Sequence, residues 1–278
     1  MQPFPQTSPE TAAQQNLNDG HLWLLELVDG GPLRFRVDQS GLITFGGKDR
    51  IFQNDSAIPS PYRFAIREVR ECLRRDVLRK SLESPADAVF YGRSMHYRDT
   101  PYDWQRAPGF VGYDVWSATA DRYLPPDHVE HIFEGLGLEP VAVLERERRA
   151  RDFDIEQFDP PRSAYRDGPA SGVVVRNKGG GRGSIRFAVD SDAHGSVTPS
   201  RTTKDAIEWF ASSDRFTQIS DRMREREVSV TFEAIRERVM DAVHREAHEA
   251  FETTIEKDAF QAELASRLNA HLAGNSGL

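Results

Sequence analysis

Between His21 and Phe187 the apolar residues come in short runs broken by glycine, and beyond Lys204 that pattern stops. This switch limits the possible folds more than any other feature. Alternation with a period of two marks a strand with one buried face, as in Leu33-Arg34-Phe35-Arg36-Val37. Ser40-Gly41 and Gly46-Gly47 bracket Leu42-Ile43-Thr44-Phe45 as turns. Further strands are expected at Ala88–Gly92, Phe110–Trp116, Val141–Leu144 and Gly172–Arg176. Gly179-Gly180-Gly181 reads as a hairpin turn into Ser184–Phe187 and not as a phosphate loop, because no Gly-Lys-Ser/Thr ends it.

Helices interrupt the strands at two places. Phe64, Ile66, Val69, Leu73 and Val77 lie near helical spacing and predict one amphipathic helix over Tyr62–Lys80. Pro125-Pro126-Asp127 opens a second, short one through Phe133. From Lys204 onward charged helices dominate, notably Phe232–Phe251 and Lys257–Leu272. Gly, Ser, Thr and Pro cluster between Gly195 and Thr203, where the boundary is expected. The expected organisation is a mobile tail over 1–20, a sheet-rich domain over 21–195 and a helical C-terminal domain over 204–278, an α+β chain.

Composition limits the partners. A net charge of −8 disfavours indiscriminate binding to a polyanion, yet a local basic groove remains open, since affinity depends on charge near the contact. No apolar run is long enough to cross a bilayer, and no charged-then-apolar leader is read at the start. The single cysteine, Cys72, is read as a buried helix position, and its solitude fits a reducing, cytoplasmic setting. His244, His248 and Glu252 share a helical face, but Arg245 stands where the protease zinc motif has glutamate, so a solvated face is expected and no metal site.

Six segments carry a resemblance, in order along the chain. They are Glu26-Leu27-Val28-Asp29-Gly30, Gly47-Lys48-Asp49-Arg50, Phe90-Tyr91-Gly92-Arg93, Phe110–Trp116, Ser171–Arg176 and Arg182–Arg186. Together they resemble the nucleotidyltransferase motifs of the ATP-dependent RNA ligases. The flanks Pro101-Tyr102-Asp103-Trp104 and Leu124-Pro125-Pro126-Asp127 are similar to haloarchaeal RNA ligase-like proteins. The resemblance implies an antiparallel-sheet adenylyltransferase domain. It also implies a lysine at position 27 that attacks the α-phosphate of ATP and carries AMP.

This chain departs from that pattern where the chemistry lies. Leu27 stands for the nucleophile, Arg93 for the ribose-binding carboxylate, Ser171 for the metal-organising carboxylate and Ser184 for a phosphate-binding lysine. Without the amine no covalent AMP forms, and without the carboxylates Mg²⁺ loses hard anionic ligands. No catalytic position of the family is intact. The resemblance leaves Glu26, Asp29, Gly30, Arg50, Arg93, Tyr113, Arg176, Arg182 and Arg186 as residues to hold RNA or a nucleotide, with Tyr113 stacking a base.

The expected function is therefore that of an inactive ligase-like protein of RNA repair, binding RNA ends, or ATP or AMP with Mg²⁺, in the former active-site groove. Two alternatives stay open. The helical C-terminal domain could mediate self-association or engage an intact ligase or repair factor. Or the chain could be an active ligase with Lys48 or Lys178 as the nucleophile.

Overall fold

The computed structural model describes residues 1–5, 17–81, 84–154, 157–187 and 202–275. It divides into two compact units, Met1–Ile58 with Ala65–Gly195, and Pro59–Phe64 with Ser196–Leu278. Most of the expected boundary, 195–203, lies outside the described residues.

In the first unit the chain forms β1 (His21–Glu26), β2 (Gly31–Val37), β3 (Ile43–Gly46), β4 (Ala88–Ser94) and β5 (Phe110–Ser117). There follow β6 (Arg122–Tyr123), β7 (Val143–Arg149), β8 (Gly172–Asn177) and β9 (Arg182–Arg186). They assemble into a four-stranded sheet ordered β7-β1-β8-β9 and a five-stranded sheet ordered β3-β2-β4-β5-β6. All pairings are antiparallel.

The apolar pattern explains why β1 lacks alternation. Leu22 and Leu24 pack with Val173, Val175 and Ala150 on one face of the four-stranded sheet. Trp23 and Leu25 pack with Val174, Val111 and Tyr102 in a second cluster. A strand covered on both faces needs apolar residues at every position. In the other sheet Leu33, Phe35 and Val37 of β2 are buried, and Phe35 stacks on Phe90 at 4.8 Å.

Residues at the start of the chain rest on this second sheet. Arg34 Nη1 and the Tyr91 hydroxyl both donate to the Gln2 carbonyl, at 2.8 and 3.0 Å, and the Tyr123 hydroxyl donates to Pro3 O at 2.8 Å. Phe4 meets Tyr91 edge-on at 5.2 Å. Of the tail expected over 1–20, residues 6–16 lie outside the described residues.

Two elements of this unit differ from expectation. The helix predicted over Tyr62–Lys80 is two, α1 (Arg63–Cys72) and α2 (Arg75–Ser81), because the Arg74 amide leaves the helical ladder for Leu136 O at 2.9 Å. The short helix α3 (Pro126–Gly135) forms where predicted and buries Phe133. The strand expected at Val141–Leu144 instead runs on as β7 through Glu145-Arg146-Glu147-Arg148-Arg149, largely exposed at a sheet edge. An edge strand pairs through its backbone on one side, so charged side chains do not prevent it.

The second unit is helical: α4 (Thr203–Phe210), α5 (Ser213–Glu225), α6 (Phe232–Glu246), α7 (His248–Thr253) and α8 (Lys257–Asn275). Thr202, Ser212 and Thr231 cap α4, α5 and α6 by accepting from amides three residues on. The helix expected over Phe232–Phe251 is interrupted at Ala247, whose φ of −140° and ψ of 31° are not helical. Its core joins Phe210, Phe216, Ile235, Val239, Val243 and the α8 stripe Phe260, Leu264 and Leu268, spaced one turn apart. Glu246 is buried with them and pairs with Arg215.

Candidate functional site

The segment Leu27–Gly30 carries the chain from β1 in one sheet to β2 in the other. Its last residue must be glycine. Gly30 has φ +151°, and a Cβ there would collide with the Ser94 carbonyl. Asp29 fixes the crossover from within: its carboxylate accepts from the amides of Gly30, Asp99 and Thr100 at 3.1, 2.9 and 3.2 Å. The Tyr102 hydroxyl accepts from the Asp29 amide at 2.6 Å.

Four of the six resembling segments converge on this crossover. The Leu27 amide donates to Gly172 O at 2.9 Å, and the Leu27 carbonyl accepts from Ser171 Oγ at 2.8 Å. The Tyr113 hydroxyl donates to Glu26 O at 2.5 Å and accepts from the Val28 amide at 2.9 Å, straddling Leu27. Arg93 Nη1 donates to Gly30 O at 3.0 Å. The Leu27 side chain, 5% exposed, joins Tyr102, Tyr165 and Val174 in the core, with Trp104 and Tyr113 against them. A Cβ on Gly172 would stand 2.4 Å from Ile185 O and 2.7 Å from Leu27 Cδ2, so the glycine makes room for both the neighbouring strand and the leucine.

Two further buried carboxylates near this point have charged or hydrogen-bonding partners. Glu26 is 1% exposed; Oε1 accepts from Ser163 Oγ at 2.6 Å and Oε2 from the Ala164 amide at 2.8 Å. Burial pushes its pKa up, against the lowering effects of Ser163, Ala164, Arg106 and Arg166. Asp114 is buried between two arginines: Arg176 Nη2 at 2.8 Å from Oδ1 and Arg182 Nη1 at 3.0 Å from Oδ2. Arg176 also donates to Tyr113 O and Leu124 O, and Arg182 lies 4.7 Å over the Tyr123 ring. These oxygens, with Ser171 and Arg93 at the other two positions, do not form the donor set of a Mg²⁺–nucleotide complex, which wants free hard anionic oxygens.

The arginines read from the sequence thus divide. Arg176 and Arg182 are buried and paired, Arg93 is half-buried beside Gly30, and Arg50 and Arg186 are exposed. Ser184 sits in the β8–β9 ladder opposite Val174. Pairing of Arg93 with Pro32, and of Gly46 with Arg34, puts the Gly47–Arg50 turn and Arg93 at the same end of the five-stranded sheet. Lys48 is exposed in that turn. Lys178 is held by Asp127 and Glu147 at 3.0 and 2.9 Å, and its bonds to those carboxylates raise its pKa.

Tyr102, Ser163 and Tyr165 were not among the residues read from the sequence. Tyr102 stood in a flank that carries the resemblance, but its bond to Asp29 spans 73 residues and leaves no local signal. Among the described residues the large apolar side chains that stand exposed are Leu42 and Ile51, both in the first unit. No described helix is long and apolar enough to cross a membrane.

Comparison with solved structures bears on the architecture. A Naegleria gruberi RNA ligase variant with ATP and Mn matches at TM-score 0.52 and 13% identity, over 70% of this chain and 58% of that one. A second variant of that ligase, also with ATP and Mn, matches at 0.51 and 13%, over 67% and 55%. The fold is that of the RNA ligases. An archaeal ATP-dependent RNA ligase covers 98% of this chain and 63% of its own at 16% identity, with a TM-score of 0.45. No protein-family model and no curated protein matches the chain. The chain spans little more than half the length of the Naegleria ligase it matches.

Proposed function

We propose that this ligase-fold protein does not adenylylate itself and acts by holding RNA ends. The observation that carries the first half is Leu27. Its position in the crossover corresponds, in the resemblance, to the attacking amine, and a buried hydrocarbon can neither attack phosphorus nor carry AMP. Lys178 is a poor substitute, because two carboxylates hold it as an ammonium.

What supports RNA over a Mg²⁺–nucleotide complex is the same geometry. The carboxylates a metal would need are spent on backbone amides, a serine and arginines, while Arg93, Arg50 and Lys48 stand at one end of a sheet. Cations without an accompanying metal site suit a phosphate backbone.

Intact-mass spectrometry after incubation with ATP and Mg²⁺ tests the first half, and the expected spectrum holds no added AMP. An adduct overturns it, and Lys48→Ala and Lys178→Ala then locate the nucleophile. Fluorescence anisotropy with a 5′-phosphorylated RNA tests the second. Arg93→Glu and Arg50→Glu are expected to weaken binding and to flatten its salt dependence by about one unit of slope per lost contact. Unchanged affinity and slope in both variants rule out this end of the sheet as the RNA site.

A further inference from the structure

Where α6 gives way to α7, two histidines stand one turn apart on either side of the break at Ala247, and Glu252 follows one turn later. The expected solvated face needs correction. His244 and His248 are both half-buried, with their rings 5.9 Å apart and the His244 ring edge-on to Phe251 at 5.1 Å. In each ring Nδ1 is shut off from solvent and has no hydrogen-bond partner among the described residues. Buried polar nitrogens are ordinarily satisfied, so a pair left without partners side by side calls for an explanation.

We infer that His244, His248 and Glu252 form a binding site for one divalent transition-metal ion of the zinc class. One ligand atom from each of the three lies within 4.8 Å of the others. A tetrahedral ion with bonds of about 2.0–2.1 Å holds its donors about 3.3 Å apart, so small rotamer changes close the set. Two imidazoles and one carboxylate leave a fourth position for water or an external ligand. Imidazole favours zinc, copper or nickel, whereas Mg²⁺ and Ca²⁺ prefer oxygen throughout.

The surroundings suit that chemistry. Burial is the largest cause that lowers the His244 pKa, to about 4, with His248, Arg63 and Lys257 adding to it. Lys257 Nζ contacts Glu252 Oε2 at 2.6 Å, which orients the carboxylate as an outer partner commonly does for a metal ligand. The nearby charges of Arg63 and Lys257 oppose a dication, and the carboxylate is what offsets them. The three residues and the two helices that carry them all belong to the helical unit. An ion there would tie α6 to α7 across the interruption at Ala247.

The test uses the full chain after treatment with a chelator. Competition with a zinc indicator dye is expected to give one saturable equivalent, and added Zn²⁺ to raise the melting temperature reversibly. His248→Gln and Glu252→Gln are each expected to weaken binding about tenfold or more, with far-UV circular dichroism unchanged. Co²⁺ is expected to give the d–d absorption of a four-coordinate nitrogen and oxygen site, which excess Zn²⁺ removes and millimolar Mg²⁺ does not. Because His244 packs on Phe251, its removal could unfold the helix, and the Co²⁺ spectrum of the unaltered chain decides without it. No saturable zinc or no Co²⁺ band overturns the site, as does undiminished affinity in both variants.

Discussion

Ser171 Oγ donates to the carbonyl of Leu27 at 2.8 Å, a bond that spans 144 residues. In the resemblance read from the sequence, these two positions are those of charged groups, an ammonium and a carboxylate. In their place lies a neutral contact that holds the chain as it passes between the two sheets. On that reading the two positions are joined by this one contact, so restoring one of them alone does not restore the pattern. Leu27→Lys by itself is therefore expected to yield no AMP adduct by intact mass. It is also expected to lower the urea midpoint, because an ammonium would replace a hydrocarbon among Tyr102, Tyr165 and Val174.

Leu27→Ala tests the packing alone. The side chain is 5% exposed and fills the space above Gly172, so a cavity should follow. The expected cost is about 2–5 kcal/mol, read from urea denaturation.

Tyr113→Phe isolates one hydroxyl. It deprives Glu26 O of a donor and the Val28 amide of an acceptor, with little change in shape. A loss of about 1–3 kcal/mol is expected, the penalty for a buried polar group left unpaired. A base-stacking role for the ring predicts instead that Tyr113→Phe keeps RNA affinity and stability alike.

Asp114→Asn probes the charge pair on the other side of Tyr113. Arg176 and Arg182 would both remain buried with their shared counter-charge gone. Breaking a buried pair of this kind costs about 3–5 kcal/mol. Substitution of the exposed Arg186 is expected to change stability by less than about 0.5 kcal/mol. Equal midpoints for the two variants would refute the assignment.

Glu26 sets a pH dependence. Burial raises its pKa above the ordinary 4.5, so the folded chain keeps this proton in a window where the unfolded chain has released it. Its contribution is fully present below about pH 4.5 and is lost as pH rises through the folded value. Glu26→Gln has no such proton to lose. A flatter curve of unfolding midpoint against pH from about 4.5 to neutrality is expected for that variant, relative to the unaltered chain.

Part of this was legible in the residues. Leu33–Val37 alternates because one face of β2 meets the core, and Pro126–Gly135 starts where proline allows a first turn. The strand at Glu145–Arg149 was not legible, since backbone pairing at an edge needs no apolar pattern. Neither was the break at Arg74, which follows from an amide finding Leu136 O 62 residues away in the chain. In the site, the arginines read alike as sequence, yet Arg176 and Arg182 are buried on Asp114 while Arg50 and Arg186 face solvent.

Residue identity by itself determined that position 27 holds no nucleophile, because whether a side chain bears an amine is a covalent fact. It determined as well the division into strands before Phe187 and helices after Lys204, since side-chain period follows from local backbone geometry. Only the tertiary structure decided which charges remain free. Ser163 reaches Glu26 across 137 residues and Arg182 reaches Asp114 across 68. Contacts at that separation exist only once the two sheets have packed, and no local rule of spacing encodes them.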